Sequence, residues 1–404
     1  MNDDSGPRDW LVPLICLSLT HTLVDTCALT ISPLWKRLDD TFSLGQMGIV
    51  MLFIAQSIPT SFSQMVFGYF RDRKPTPMLL WIGPLAAILL TTIGSVNQPY
   101  ALFGLLIVGG IGVGAFHPEA AVTAARMIPG HQARGLSAFM FGGSLGLALG
   151  PVLSGIVTDQ WGLRGLAVLA MPVSVCVIAL RRIGRLHQIS RDTHDEAPST
   201  RNAPGFGEMM AGRGSFAIAL LLICSLRLVP NMAMDKILDY TLSGDQWGFN
   251  RTQVGTVQSL FLVAASVGMG MMAIWFRPGW EKPFMVACPL CGIPFLCLMG
   301  WSDCPQWLFI GSLIPLGAAL WGTSPAMVSY AQQHFPGGAG MASAITMGMS
   351  WGVAGLIQAP ITSWFLKTDR ATLALWTFIP FLVLSALGAS MMPPAPAASA
   401  EARS

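Results

Sequence analysis

Charge is what this sequence has least of. Only 11% of its 404 residues are Asp, Glu, Lys or Arg, while 53% are hydrophobic and the mean hydropathy is +0.58. Soluble domains carry roughly 25% charged residues. A deficit this large, spread over the whole length, excludes a water-soluble globular protein and indicates a polytopic membrane protein. The charges nearly cancel, leaving a net +3, and no basic patch with interleaved aromatics is present, which excludes nucleic acid as a partner. No small-residue cleavage signal accompanies the first apolar run, which Asp3, Asp4, Arg8 and Asp9 precede; it reads as a first span and not as a secretory signal. The glycine-rich "GGIGVGAF" at 109–116 follows no strand and lies within a span, so it is not a nucleotide loop. All eight cysteines lie in or beside apolar segments. Cys288 and Cys291 make a C-x-x-C with no partner pair, and lipid-phase packing accounts for them better than chemistry.

What is abundant is long apolar runs. A helix crosses the hydrocarbon in about 20 residues, and segments of that order start near residues 10, 44, 78, 101, 133, 164, 216, 252, 283, 306, 338 and 372. The expected fold is therefore all-α, with twelve transmembrane helices. The one long polar stretch, around 181–214 and rich in Arg, Ser, Pro and Gly, separates two sets of six. The expected organisation is an N-terminal six-helix bundle at 1–181, a cytoplasmic interdomain linker at 182–215, a C-terminal six-helix bundle at 216–392 and a disordered tail at 393–404. With both termini inside, cytoplasmic segments hold 15 of the 23 basic residues, which by the positive-inside rule places both termini in the cytoplasm.

An internal repeat supports the division. Phe42, Gln46, Gly48 and Val50 recur 207 residues later as Phe249, Gln253, Gly255 and Val257. At the same offset Pro118, Ala124, Pro129 and Gly130 recur as Pro325, Ala331, Pro336 and Gly337. Two parallel halves of this kind are the architecture of many secondary transporters, with the site near the midplane between them.

Between spans two and three runs "FGYFRDRKPTP", where Gly68, Asp72 and Arg73 match the core of the loop motif of the major facilitator superfamily, G-x3-D-R followed by a basic residue. The resemblance implies a gating loop, and the position after span two favours that over ordinary positive-inside charge. The equivalent "WFRPGWEKP" keeps Arg277 and Lys282 but has no aspartate, so the expected gate is one-sided. In the fifth span Gly142, Gly146, Gly150 and Gly155 fall on nearly one face, a pattern that permits close helix approach in lipid. Gly146, Gly150 and Pro151 also resemble the fifth-helix motif of proton-driven drug antiporters in this superfamily.

Charge inside a span costs at least about 2.5–3.5 kcal/mol on insertion scales, so it is normally paired or functional. Four such residues stand in spans one and four. His21 and Asp25 are four apart on one helix face, and His117 and Glu119 flank Pro118, which removes a backbone hydrogen bond and can kink its helix. Span seven adds Arg227, Asp235, Lys236 and Asp239; Lys236 and Asp239 have the spacing of an ion pair. Helices 1, 4, 7 and 10 line the central cavity in the superfamily. Asp25 and Glu119 are the candidate proton carriers and His21 and His117 their partners; the alternative for Glu119 is a simple ion pair with Arg126 or Arg134. Arg227 is the candidate anchor for an anionic substrate, because guanidinium stays charged and binds a carboxylate or phosphonate in a fork. Asp235 and Ser324 complete the candidate substrate site.

The combination of "GAFHPEAA", His21-x3-Asp25 and "GYFRDRKPTP" resembles the fosmidomycin-resistance exporters of that superfamily. The resemblance implies proton-driven efflux by antiport, in the inner membrane, of a small drug-like or metabolite substrate, by a protein that is no enzyme, needs no cofactor and acts as a monomer. Its partners would be that substrate, protons and the lipid bilayer. Leu105 and Leu106 stand where many drug antiporters carry an arginine, so a relay here falls to His117 and Glu119. An importer or siderophore-type transporter driven by proton symport is the alternative on the same fold. A metal-centred membrane protein is a further one, since His21, Asp25, His117 and Glu119 are the right ligand types. They come from two helices with no H-E-x-x-H pattern, and no metal is assigned.

Overall fold

The computed structural model describes residues 10–73, 76–128, 132–183, 213–275, 277, 279–301, 303–335, 342, 344–368 and 370–394. The expected linker falls mostly, and the expected tail almost wholly, outside these residues. Every regular element among them is helical. In hydrocarbon each backbone N–H and C=O must find its partner within the chain, and a helix satisfies them locally.

The first half opens with α1 (Leu11–Ala28), a short 3-10 turn and α2 (Trp35–Phe42), followed by α3 (Gln46–Arg73). Next come α4 (Leu79–Ala87), continued by a 3-10 segment to Ser95, then α5 (Pro99–Arg126), α6 (Gln132–Gly165) and α7 (Ala170–Arg182). The second half contains α8 (Gly214–Leu242), α9 (Arg251–Trp275), α10 (Glu281–Gly300) and α11 (Gln306–His334). A π-helical turn at Ala344–Met349 leads into α12 (Ser350–Lys367); α13 (Ala374–Thr377) and α14 (Ile379–Met391) finish the described chain. Among the described residues nine helices are long and apolar enough to cross a membrane. One of these, Gly135–Arg182, is 48 residues long and covers the expected spans five and six, with a break at Gly162, whose φ of +70° an L side chain rarely adopts. The third span is shorter, Leu79–Ser95, and the eleventh is the π-turn with α12.

The chain forms two compact units. The first comprises Met1–Ser43, Ala55–Asn202 and Gly248–Ser259; the second comprises Leu44–Ile54, Ala203–Trp247 and Leu260–Ser404. These boundaries differ from the expected halves in one way: 44–54 groups with the second unit and 248–259 with the first. Those two segments carry the "FSLGQMGIV" and "FNRTQVGTV" repeat, so the exchange is reciprocal.

Within the first unit α1 lies along the glycine face of α6. A methyl group added at Gly142 would strike the carbonyl of Ser18, at Gly146 that of Thr22, and at Gly150 the side chain of Leu29. Thr22 and Thr26 donate to the carbonyls of Gly142 and Gly146 at 2.8 and 3.3 Å, and Ser154 donates to Thr30 at 2.5 Å. Close backbone approach therefore supplies both dispersion and interhelical hydrogen bonds, the two attractions available in lipid. The first unit also holds the start of α9: Asp159 accepts from the backbone N–H of Arg251 and Thr252 and from the Thr252 hydroxyl.

In the second unit a core of Leu220, Ile223, Cys224, Met285, Met327 and Tyr330 packs α8, α10 and α11 together. Glu281 is buried at the start of α10 and accepts from Ser329 and Gln333 on α11 and from the Gly279 N–H. Gln46, from the 44–54 segment, donates to Ser363 of α12 at 2.8 Å.

Candidate functional site

The glycine face of α6 fixes how deep α1 sits, and so where His21 and Asp25 point. The His21 ring stacks on Phe139 of α6, centroids 3.9 Å apart, and its Nδ1 meets the Phe139 carbonyl at 2.7 Å. Gly143 leaves no room for a Cβ against either His21 or Asp25. From α5, His117 turns its Nδ1 back onto the Val113 carbonyl at 2.7 Å. Pro118 follows directly and cannot donate to the preceding turn.

Three side chains then converge. Asp25 places Oδ2 3.2 Å from His21 Nε2 and Oδ1 3.1 Å from His117 Nε2, and the two Nε2 atoms stand 3.2 Å apart. The tautomers follow from the partners. A carbonyl oxygen only accepts, so both Nδ1 atoms carry protons and both Nε2 atoms of neutral rings present bare lone pairs. Two lone pairs and a carboxylate cannot face one another at hydrogen-bond distance with nothing between them. At least one cation, a proton or a metal ion, belongs there. These three residues are the group among the described residues that could hold a metal, with one donor atom from each lying within 4.8 Å of the others. His21 and Asp25 are buried, and the His117 side chain is 21% exposed, which gives the cluster one open side.

Glu119 is placed elsewhere. It is fully buried, and its Oε2 accepts from the Thr76 N–H at 3.2 Å and hydroxyl at 2.8 Å, with Arg71 Nε in an ion pair at 3.3 Å. The structure thus ties Glu119 to the end of α3 and the motif loop, contacts that do not include Asp25. Gly68 of the same motif faces Pro118: a Cβ there would stand 3.9 Å from the proline ring. The side chains of Asp72 and Arg73 lie outside the described residues, as does that of Arg134.

In the second unit Arg227 is 1% exposed on α8. Its guanidinium donates to the Leu320 carbonyl and, at 3.3 Å, to the Ser324 hydroxyl, both on α11; its Nε has no partner among the described residues, and no carboxylate there pairs with it. One turn along α8 both amide atoms of Asn231 are buried without a partner among the described residues, and so is the indole N–H of Trp321 beside Leu320. Sequence reading had not singled these two out, although Asn231 shares a face with Arg227 by spacing. Asp235 is held by its neighbour Lys236 at 2.9 Å, and Lys236 also donates to the Met232 carbonyl. Pro151 and the other α6 motif residues serve the α1 and α9 contacts: a Cβ at Gly255 would strike the Pro151 carbonyl. Cys288 and Cys291 are free thiols.

The 207-residue repeat connects the two polar contacts. Ser324 is the counterpart of His117, and Arg227 falls one residue from the counterpart of His21. The same crossing of first and fourth helices thus carries an imidazole pair with a carboxylate in one unit and a guanidinium–hydroxyl contact in the other.

Long apolar helices, an internal repeat at an offset of 207 residues and ionisable groups buried within the spans describe a polytopic membrane protein. The family model of the Major Facilitator Superfamily matches residues 14–359. The chain is 25% identical over 349 residues to the fosmidomycin resistance protein of Escherichia coli K12, covering 84% of this chain and 83% of that one. It is also 25% identical over 359 residues to the uncharacterised transporter YfnC of the same superfamily from Bacillus subtilis 168, covering 85% and 84%. Among solved structures, a D-xylose–proton symporter superposes with a TM-score of 0.74 at 16% identity, covering 95% and 98%, and the nucleoside transporter NupG with 0.71 at 15%, covering 94% and 97%. The chain belongs to the Major Facilitator Superfamily.

Proposed function

We propose that this protein is a proton-coupled exporter that carries a small anionic compound out of the cell by alternating access. The observation that carries the reading is the convergence of His21, Asp25 and His117, whose donor atoms stand 3.1–3.2 Å apart and need a shared proton to coexist. An added proton turns the facing lone pairs into a charge-assisted bridge between α1 and α5; its departure leaves like partners facing each other. The proton balance thus sets whether these two helices are tied together, and that is the link between ionisation and conformation.

Arg227 is the anchor for the substrate. A buried guanidinium without a carboxylate partner is costly, and a substrate carboxylate or phosphonate would supply the missing charge in a bidentate contact. Asn231 and Ser324 would hold further polar atoms of the same molecule, while Asp235 sits outside that contact. Protonation from outside displaces the substrate and deprotonation inside resets the carrier. Glu119 serves as the fastening for the gating loop that contains Gly68, Asp72 and Arg73. The direction, outward, is supported by the Gly150-Pro151 motif and the likeness to the fosmidomycin resistance protein. Both termini are assigned to the cytoplasm by the distribution of basic residues.

Proteoliposomes carrying the purified protein under an imposed pH gradient test this. The expected result is gradient-dependent movement of an anionic antibiotic or metabolite, abolished by Asp25→Asn. Transport that ignores both the gradient and that substitution overturns the coupling, and accumulation rather than depletion in cells expressing the protein overturns the direction.

A further inference from the structure

We propose that His21, His117 and Asp25 form a binding site for one divalent transition-metal ion, zinc foremost, which takes the place of the proton. Four observations point there. The first is spacing. A tetrahedral zinc ion with bonds of about 2.0–2.1 Å separates its ligand atoms by roughly 3.3 Å. The two Nε2 atoms are 3.2 Å apart, and each has a carboxylate oxygen at 3.1–3.2 Å.

The second is the tautomer. Each imidazole gives its Nδ1 proton to a backbone carbonyl, His21 to Phe139 and His117 to Val113, both at 2.7 Å. This is the outer hydrogen bond that metal-bound histidines make, and it turns both Nε2 lone pairs toward the centre. The third is rigidity. His21 is clamped between Phe139 and the Cβ-free backbone at Gly143, which fixes the direction in which its Nε2 points. The fourth is access. The site is closed by α1, α5 and α6, but His117 leaves one side open, where a water or a further ligand completes four-coordination.

Two imidazoles and a carboxylate suit zinc, copper, nickel and cobalt, and not calcium or magnesium, which require oxygen ligands. The inference stands on ligand geometry and does not need the transport reading. If both hold, metal and proton compete for the same lone pairs.

The experiment is equilibrium dialysis of the purified full-length protein against zinc, with metal analysis of the retained fraction and calcium and magnesium in excess. One zinc per chain is expected. His117→Ala should lose it. A variant with the other four histidines, His131, His187, His194 and His334, changed to alanine should keep it, as should one with Cys288 and Cys291 changed to serine. A second readout is the visible spectrum of the cobalt-loaded wild-type protein, which needs no site variant to fold: intense four-coordinate bands without thiolate charge transfer are expected. Zinc retained by His117→Ala, zinc lost with the cysteines, or no zinc bound at all overturns the proposal. The assay uses neither substrate nor gradient. Absence of zinc alongside gradient-driven transport therefore defeats this inference alone, and zinc binding with gradient-indifferent transport defeats the coupling alone.

Discussion

His21 and His117 meet through their Nε2 atoms at 3.2 Å while both Nδ1 atoms are engaged by backbone carbonyls of other turns. Neither ring can therefore turn away from the other without giving up a hydrogen bond to the backbone. The contact joins α1 to α5 within the first unit.

Removing a member of the cluster that this contact forms with Asp25 should uncouple transport without removing substrate. His117→Ala and Asp25→Asn are expected to bring gradient-driven flux down to that of empty liposomes, while a thermal-shift assay still registers binding of the anionic substrate. Loss of both signals together would mean that the triad belongs to the substrate site.

Arg227 and Arg71 are both buried, and their substitutions should separate by stability. Arg71→Met strips Glu119 of a paired cation and is expected to cost about 3–5 kcal/mol, the usual penalty for breaking a buried ion pair from one side. Arg227→Met leaves no orphaned carboxylate among the described residues, so its melting midpoint should fall far less or rise. The same variant should lose substrate-dependent stabilisation, and Arg227→Lys should recover only part of it because the fork geometry is gone.

Glu119→Gln distinguishes a fastening from a proton carrier. Glutamine can still accept from Thr76, but the buried Arg71 cation loses this carboxylate, so a destabilisation of about 3–5 kcal/mol is expected, with the pH-gradient dependence of transport retained. A variant that folds well and transports without regard to the gradient would restore Glu119 to the proton path.

The glycine face of α6 should tolerate nothing larger. Gly146→Val forces α1 away from α6 and is expected to cost about 1–3 kcal/mol, the range for overpacking, with a parallel loss of transport because His21 and Asp25 move with α1. Gly311→Ala, where a methyl group meets nothing within 4 Å, should leave melting unchanged or raise it.

Much of this was legible before any coordinates. The apolar runs set the helices, the charge deficit set the environment, and the repeat set the two halves. His21 and Asp25 could be paired because four residues make one helical turn. Their meeting with His117 could only be suspected, since 96 residues separate the two histidines and no local rule sets how far α5 approaches α1. The glycines of α6 announced close packing but not their partner. The contacts of Glu119 were hidden because two residues beyond His117 a helical side chain faces another neighbour, and Thr76 and Arg71 carry no pattern that names them. Asn231 was available by spacing from Arg227, yet an asparagine carries no charge to mark it within an apolar run.

The equivalence of Ser324 with His117 has a consequence for the ancestry of the molecule. A duplicated bundle begins with two identical helix crossings, each able to hold the same ion. Here one crossing carries basic nitrogens around an acid, and the other carries a permanent cation. The two crossings differ in polarity, so that grafting the imidazole pair into the second one would remove the permanent cation that Arg227 places there.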